Sequence, residues 1–243
     1  MKYQLHFFLL FFIALAIGCS KTETISGVTI NDIYPLKTGK VFYYRLDSTV
    51  LANFNQNLVV HSYNAKDSVD NEFVDNEGRK SFRIFRYLRD TLNTKSWTYT
   101  ATYVATFDAN RIEYVDNNLR FVVLTNLPKE NNTWKGTQYI NSILPSPLAY
   151  FNNWDFQYQN IGQPFNVRKG IIQDTYTVSQ QDETLPTGTP FNINNYHERS
   201  LSKEVYANGI GLIYKEFLRW VKQPGIYYQE GSYGIKLSLI DYK

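Results

Sequence analysis

From Ser96 to Asp108, apolar and polar residues alternate almost without a break. Trp97, Tyr99, Ala101, Tyr103, Ala105 and Phe107 share one face; Ser96, Thr98, Thr100, Thr102 and Thr106 share the other, with Val104 the exception. A period of two held for about six repeats predicts a strand with one buried face. At about 3.3 Å per residue it reaches roughly 40 Å. A strand of that length suits a strongly curved sheet or a barrel wall better than a small sandwich.

Shorter runs of the same kind predict strands at Lys40–Leu51, Leu58–Ala65, Lys80–Arg89, Arg111–Val115, Arg120–Thr125, Phe165–Gln180, Gly211–Lys222 and Tyr233–Asp241. Turn-forming clusters separate them: Asp75-Asn76-Glu77-Gly78, Asp108-Ala109-Asn110, Asp116-Asn117-Asn118 and Lys222-Gln223-Pro224-Gly225. Asn, Asp and Gly tolerate the left-handed backbone of tight hairpins. Tyr139 to Asn160, with Pro145, Pro147 and Trp154, reads as a long loop with broken strand character, and Thr184 to Asn195 as a second loop. A helical turn or two is expected at Ser200–Ala207, capped by Asn208-Gly209. The fold class is therefore all-β: an antiparallel curved sheet or barrel-like meander with little helix.

The amino terminus follows a different pattern. Met1-Lys2 precedes the apolar run Phe7–Ile17, which ends in Gly18-Cys19, and Cys19 is the only cysteine. A basic start, a short apolar run and a small residue before the cut describe a secretory signal. The run is shorter than the roughly 20 residues of a membrane-spanning helix. Leu15-Ala16-Ile17-Gly18-Cys19 resembles a bacterial lipobox, which implies cleavage before Cys19 and fatty acylation of its thiol. Residues 1–18 are then a lipoprotein signal peptide, 19–31 a polar tether, and 32–243 one all-β domain.

Composition agrees with this reading. Tyr (20) and Phe (16) dominate the aromatics, and both favour strands. A formal net charge of +3, part of it on Lys2 of the signal, is too small to indicate nucleic acid. With Cys19 acylated no disulfide can form within one chain, so an exported domain must rely on its apolar core.

Three segments carry a resemblance: Tyr34-Pro35-Leu36-Lys37-Thr38-Gly39-Lys40; the run from Glu204 to Glu216, with its Tyr206-Ala207-Asn208-Gly209-Ile210-Gly211-Leu212-Ile213 core; and Gly231 to Asp241. They resemble a family of exported lipoproteins of unknown function common in Bacteroidota. The Tyr-Ala-x-Gly-Ile-Gly-Leu-Ile core is similar to a wider domain of exported bacterial proteins, which implies a curved antiparallel sheet or incomplete barrel. The resemblance carries over no catalytic residue. Read from the residues themselves, Gly209 and Gly211 allow a tight entry into a strand; they lack the Gly-Lys-Ser/Thr of a phosphate loop.

Candidate chemistry is sparse. His61 and His197 are too far apart in sequence to form a zinc pattern, and no metal or cofactor is expected. Asp67, Asp70, Glu72, Asp75 and Glu77 cluster without the offsets of a calcium loop, so a solvated hairpin is expected. Arg83, Arg86 and Arg89 read as strand-face charges. No Gly-x-Ser-x-Gly elbow occurs. Asp47-Ser48-Thr49, Asp67-Ser68-Val69 and Asp90-Thr91-Leu92 resemble a short periplasmic O-glycosylation sequon. Trp97 and Trp220 are expected in the core, whereas Trp134 and Trp154, with Tyr150 and Phe151, lie in loop-like surroundings and are candidate ligand contacts.

The leading expectation is a non-catalytic binding or assembly lipoprotein. It would be held in the cell envelope, at the outer membrane, through lipid on Cys19, with a protein, lipid or glycan as partner. The alternative is an envelope glycan hydrolase, which requires two facing carboxylates in a cleft.

Overall fold

The computed structural model describes residues 27–143, 146–152, 154–192, 194–225 and 227–243. The signal, Cys19 and most of the tether lie outside the described residues. Twelve strands form one antiparallel sheet: β1 (Val41–Ala52), β2 (Asn57–Val74), β3 (Lys80–Arg89), β4 (Thr98–Phe107), β5 (Arg111–Asp116), β6 (Leu119–Thr125), β7 (Thr133–Lys135), β8 (Asp155–Val167), β9 (Gly170–Leu185), β10 (His197–Ala207), β11 (Gly211–Lys222) and β12 (Tyr233–Tyr242). The order is β6-β5-β4-β3-β2-β1-β12-β11-β10-β9-β8-β7. Sheet neighbours are chain neighbours throughout, except where β1 pairs with β12.

The sheet curls until its two edges nearly meet. Val122 of β6 donates its N–H to the Gly136 carbonyl (2.8 Å) and accepts the Trp134 indole N–H at its own carbonyl (2.7 Å). Further along β6, the Tyr158 hydroxyl donates to the Thr125 carbonyl (2.7 Å) and accepts from the Thr125 N–H (3.0 Å). These bonds occupy β6 backbone groups that an open edge would leave unpaired. Gly136 permits the close approach: a Cβ there would fall 2.2 Å from Phe156 Cδ2.

One end of the barrel is plugged. Helix α1 (Ile30–Ile33) starts at a capping box in which Thr29 Oγ1 accepts from the Asp32 N–H and the Asp32 carboxylate accepts from the Thr29 N–H. Ile30, Ile33, Tyr34 and Leu36 are buried in the core. The body thus begins inside the stretch expected to be tether. Lys40 Nζ donates to the carbonyls of Pro35 (3.0 Å) and Ile210 (2.8 Å), and the Gly209 N–H donates to the Asp32 carbonyl (2.8 Å). The Tyr34 ring meets Tyr206 edge-on at 5.4 Å. A Cβ on Gly211, whose φ is +114°, would lie 2.9 Å from the Tyr34 ring. Two of the three resembling segments therefore meet here and hold the plug.

Three expectations fail for physical reasons. Ser200–Ala207 is strand, not helix: its inward residues Ser202, Glu204 and Tyr206 are polar or amphipathic, which hides the strand pattern. Phe165–Gln180 is not one strand but the β8–β9 hairpin, turned at Arg168-Lys169 before Gly170, φ +118°. The alternation of β4 is broken at Thr100, where Arg86 pairs Ala101 but Tyr87 pairs Tyr99. That bulge puts Ala101 and Tyr103 inside and turns Tyr99 out; Tyr99 is 55% exposed against Phe85 and Tyr87.

Candidate functional site: the barrel lumen

Inside the barrel lies a cavity of about 470 Å³. Tyr34 of the plug lines one end. Thr100, Asn117 and Tyr233 line it while being solvent-exposed, which places the mouth at the opposite end.

A charged cluster crosses this space. Glu204 of β10 and Lys215 of β11 are direct ladder partners. Lys215 Nζ lies 3.1 Å from Glu204 Oε1 and 4.0 Å from Asp116 Oδ2 of β5 on the facing wall. The Glu204 side chain is 4% exposed, that of Lys215 22%. A bulge aims the lysine: Val205 pairs Tyr214 but Tyr206 pairs Leu212, leaving Ile213 unpaired. Leu212 and Lys215, three apart, consequently both line the lumen. Burial alone would lower the Lys215 ammonium, but Glu204 and Asp116 outweigh it and hold its pKa above the ordinary lysine value. The second oxygen of Glu204 accepts from the Tyr206 hydroxyl at 2.6 Å.

A second buried pair lies on β2 and β3. Asp67 and Arg86 face each other in register, and the guanidinium donates twice, Nε to Oδ1 (2.7 Å) and Nη2 to Oδ2 (2.6 Å). Burial opposes the charge on Arg86, yet Asp67 keeps its pKa well above normal. Arg86 also stacks over the Tyr103 ring at 4.8 Å. Burial pushes the Tyr103 hydroxyl up to about 12 and also holds that of Tyr114 well above its ordinary value.

The predicted hairpin cluster is thus split. Asp67 turns into the barrel, while Asp70 and Glu72 pair outside with Arg83 and Lys80. Asp75 binds Arg79. Among the described residues no group of His, Cys, Asp and Glu could hold a metal ion. Arg86, expected on a strand face, faces the lumen. His61 is exposed, and His197 is fully buried with Nε2 accepting from the Asn192 N–H at 3.0 Å.

Of the aromatics singled out above, Phe151 and Trp154 line the cavity. Tyr150 packs on both, at 4.3 and 6.2 Å, with the Arg219 guanidinium 4.7 Å from its ring. Trp134 sits at the seam between β6 and β7 against Tyr158 and does not line the lumen. Trp97 and Trp220, expected in the core, pack outside it: Trp97 with Tyr43 and Arg89, Trp220 with Phe191 and Tyr228. Sequence reasoning missed Asp116, Glu204, Lys215, Tyr103 and Tyr114. The available signal was charge at inward strand positions, as at Arg86 between Ile84 and Leu88.

No protein-family model matches the chain, and no curated protein does. The chain is similar to solved structures, among them two bacterial proteins. One is a Bacteroides fragilis protein with a YmcC-like fold, taken to be exported, at 11% identity and TM-score 0.39. The other is a Parabacteroides distasonis protein taken to be a lipoprotein, at 10% identity and TM-score 0.37. Each match covers 87% of this chain and 98% of the other.

Proposed function

We propose that this chain is a lipid-anchored cell-envelope protein that binds a small molecule inside its barrel, and that it is related to the exported Bacteroidota lipoproteins its motifs resemble. The observation that carries the reading is the cavity itself. A lumen of about 470 Å³ lies within the roughly 300–1,000 Å³ range of small-molecule sites. Barrels of larger circumference enclose ligand cavities in the same way. The lipobox-like Leu15-Ala16-Ile17-Gly18-Cys19 supports the anchor: several acyl chains on Cys19 would give the stable attachment that one chain does not. The outer wall does not suit a membrane-spanning barrel: Arg45, Asp47, Lys66 and Arg83 lie on it, where lipid demands an apolar band.

The hydrolase alternative draws on one observation, that Glu204 and Asp116 both enter the lumen. A glycosidase pair leaves the space between its carboxylates for the scissile bond and water. Here Lys215 stands in that space as a counter-ion to both, which favours binding over hydrolysis.

Two measurements test the proposal. Native mass spectrometry of the membrane-extracted protein is expected to show a small molecule that survives desolvation. Cys19→Ser is expected to move the protein from the membrane to the soluble fraction. A parent that carries nothing and releases nothing on denaturation would count against the binding reading.

A further inference from the structure

We propose that the lumen takes an uncharged, multiply hydroxylated ring, that is, a neutral sugar; this rests on the lumen being a binding site. Two features of its lining point there.

The first is a run of touching aromatic rings. Phe121 packs on Phe151 (5.6 Å), Phe151 on Trp154 (4.8 Å), Trp154 on Phe217 (6.2 Å) and Phe217 on Tyr233 (4.8 Å). All five line the cavity, and Tyr233 at the mouth is 39% exposed. Phe151 and Trp154 are almost fully buried and back the run, while Phe121, Phe217 and Tyr233 keep exposed surface; such rings offer apolar faces with little conformational entropy to lose.

The second is the state of the charges. Each charged side chain that lines the lumen has an opposite charge beside it: Arg86 has Asp67, and Lys215 has Glu204 and Asp116. A charged ligand would have to break one of these pairs to gain its own. An acyl chain would cover them with hydrocarbon and strip their remaining hydration, which is costly. Paired groups still have hydrogen-bonding capacity to spare. A guanidinium has five N–H donors and a carboxylate about four acceptor sites, and Arg86 commits only Nε and Nη2 to Asp67. Hydroxyl groups can use that remainder without disturbing the ion pairs. A ring with one apolar face and a hydroxylated rim satisfies both features together.

The test is ligand-observed NMR on the full-length protein in lipid nanodiscs, with empty nanodiscs as the blank. The probes are a pool of neutral mono- and disaccharides, glucuronate, glucosamine and decanoate. Saturation transfer to the neutral sugars is expected, with glucuronate and glucosamine weaker than glucose. Tyr233→Ala should weaken sugar binding about tenfold, and Tyr99→Ala on the outer face should leave it unchanged. Thr100→Trp, at the exposed rim, gives a second reading: it should abolish binding while the circular dichroism spectrum is retained. Tighter binding of glucuronate, glucosamine or decanoate than of any neutral sugar overturns the sugar inference and leaves the lumen reading standing. Failure of every probe to bind overturns both.

Discussion

Glu204 and Lys215 face each other across the β10–β11 ladder, 3.1 Å apart, only because Ile213 is left unpaired between them and the plug. Without that bulge Lys215 would point to the outer face. The cluster they form with Asp116 spans the lumen from one wall to the other. Removing Lys215 alone strands the buried Glu204; removing both leaves only Asp116, whose side chain is 31% exposed and so better hydrated. Lys215→Met is expected to cost about 3 kcal/mol, as for a broken buried pair. The double variant Lys215→Met, Glu204→Gln should be more stable than the single changes predict, by at least about 1 kcal/mol. Urea unfolding of the four proteins of this cycle checks it, and strict additivity would refute the coupling.

The seam makes a separate demand. Gly136→Ala places a methyl group 2.2 Å from Phe156 Cδ2, and that ring is fully buried and packed on Trp134. Overpacking of this kind costs about 2 kcal/mol or more. The amides of Val122 and Thr125 should lose hydrogen-exchange protection first, since their partners are Gly136 and Tyr158. Unchanged protection at both would show that the seam does not close the barrel.

The plug depends on Tyr34. Tyr34→Ala removes the ring that packs on Tyr206 and against Gly211, and should cost about 3 to 4 kcal/mol. Gly211→Ala should be destabilising as well, through its positive φ and its contact with the same ring. Thermal unfolding measures both; a loss under about 1 kcal/mol for Tyr34→Ala would mean that the plug is dispensable.

Stability should fall in alkali. Burial raises the hydroxyls of Tyr103 and Tyr158 from 10.0 to about 12, and Lys215 is also raised. Each holds its proton more tightly folded than unfolded. Their contribution is therefore complete below pH about 10 and is lost as pH climbs from there towards 12. Unfolding free energies at a series of pH values between 8 and 11.5 check the sign, and a flat or rising profile would contradict it.

The sequence carried the strand content well because tyrosine, phenylalanine and threonine alternate along most of the wall. It carried the lumen poorly, and for a definite reason. Period-two reading assumes an apolar inner face, but Ser202, Glu204 and Tyr206 point inward, so β10 looked like a helical turn. Bulges at Thr100 and Ile213 shift the alternation without leaving any mark in composition. Phe151 and Trp154, candidates by their loop setting, both line the cavity; Trp134 has the same setting but is a seam residue. The difference lies in whether the ring meets β6 backbone or the interior, which only the closed sheet decides.

The claim on which the rest depends is that the lumen is an open, reachable space. Cys19 is the chain's sole cysteine; under the proposed acylation of its thiol, one introduced cysteine is the only reactive group. In the membrane-anchored protein, Leu88→Cys, on the cavity wall, should react with N-ethylmaleimide far faster than Ala105→Cys, which is fully buried in the core. The parent should take up no label. Equal protection of the Leu88→Cys and Ala105→Cys variants would mean a filled interior, and the binding account would fail.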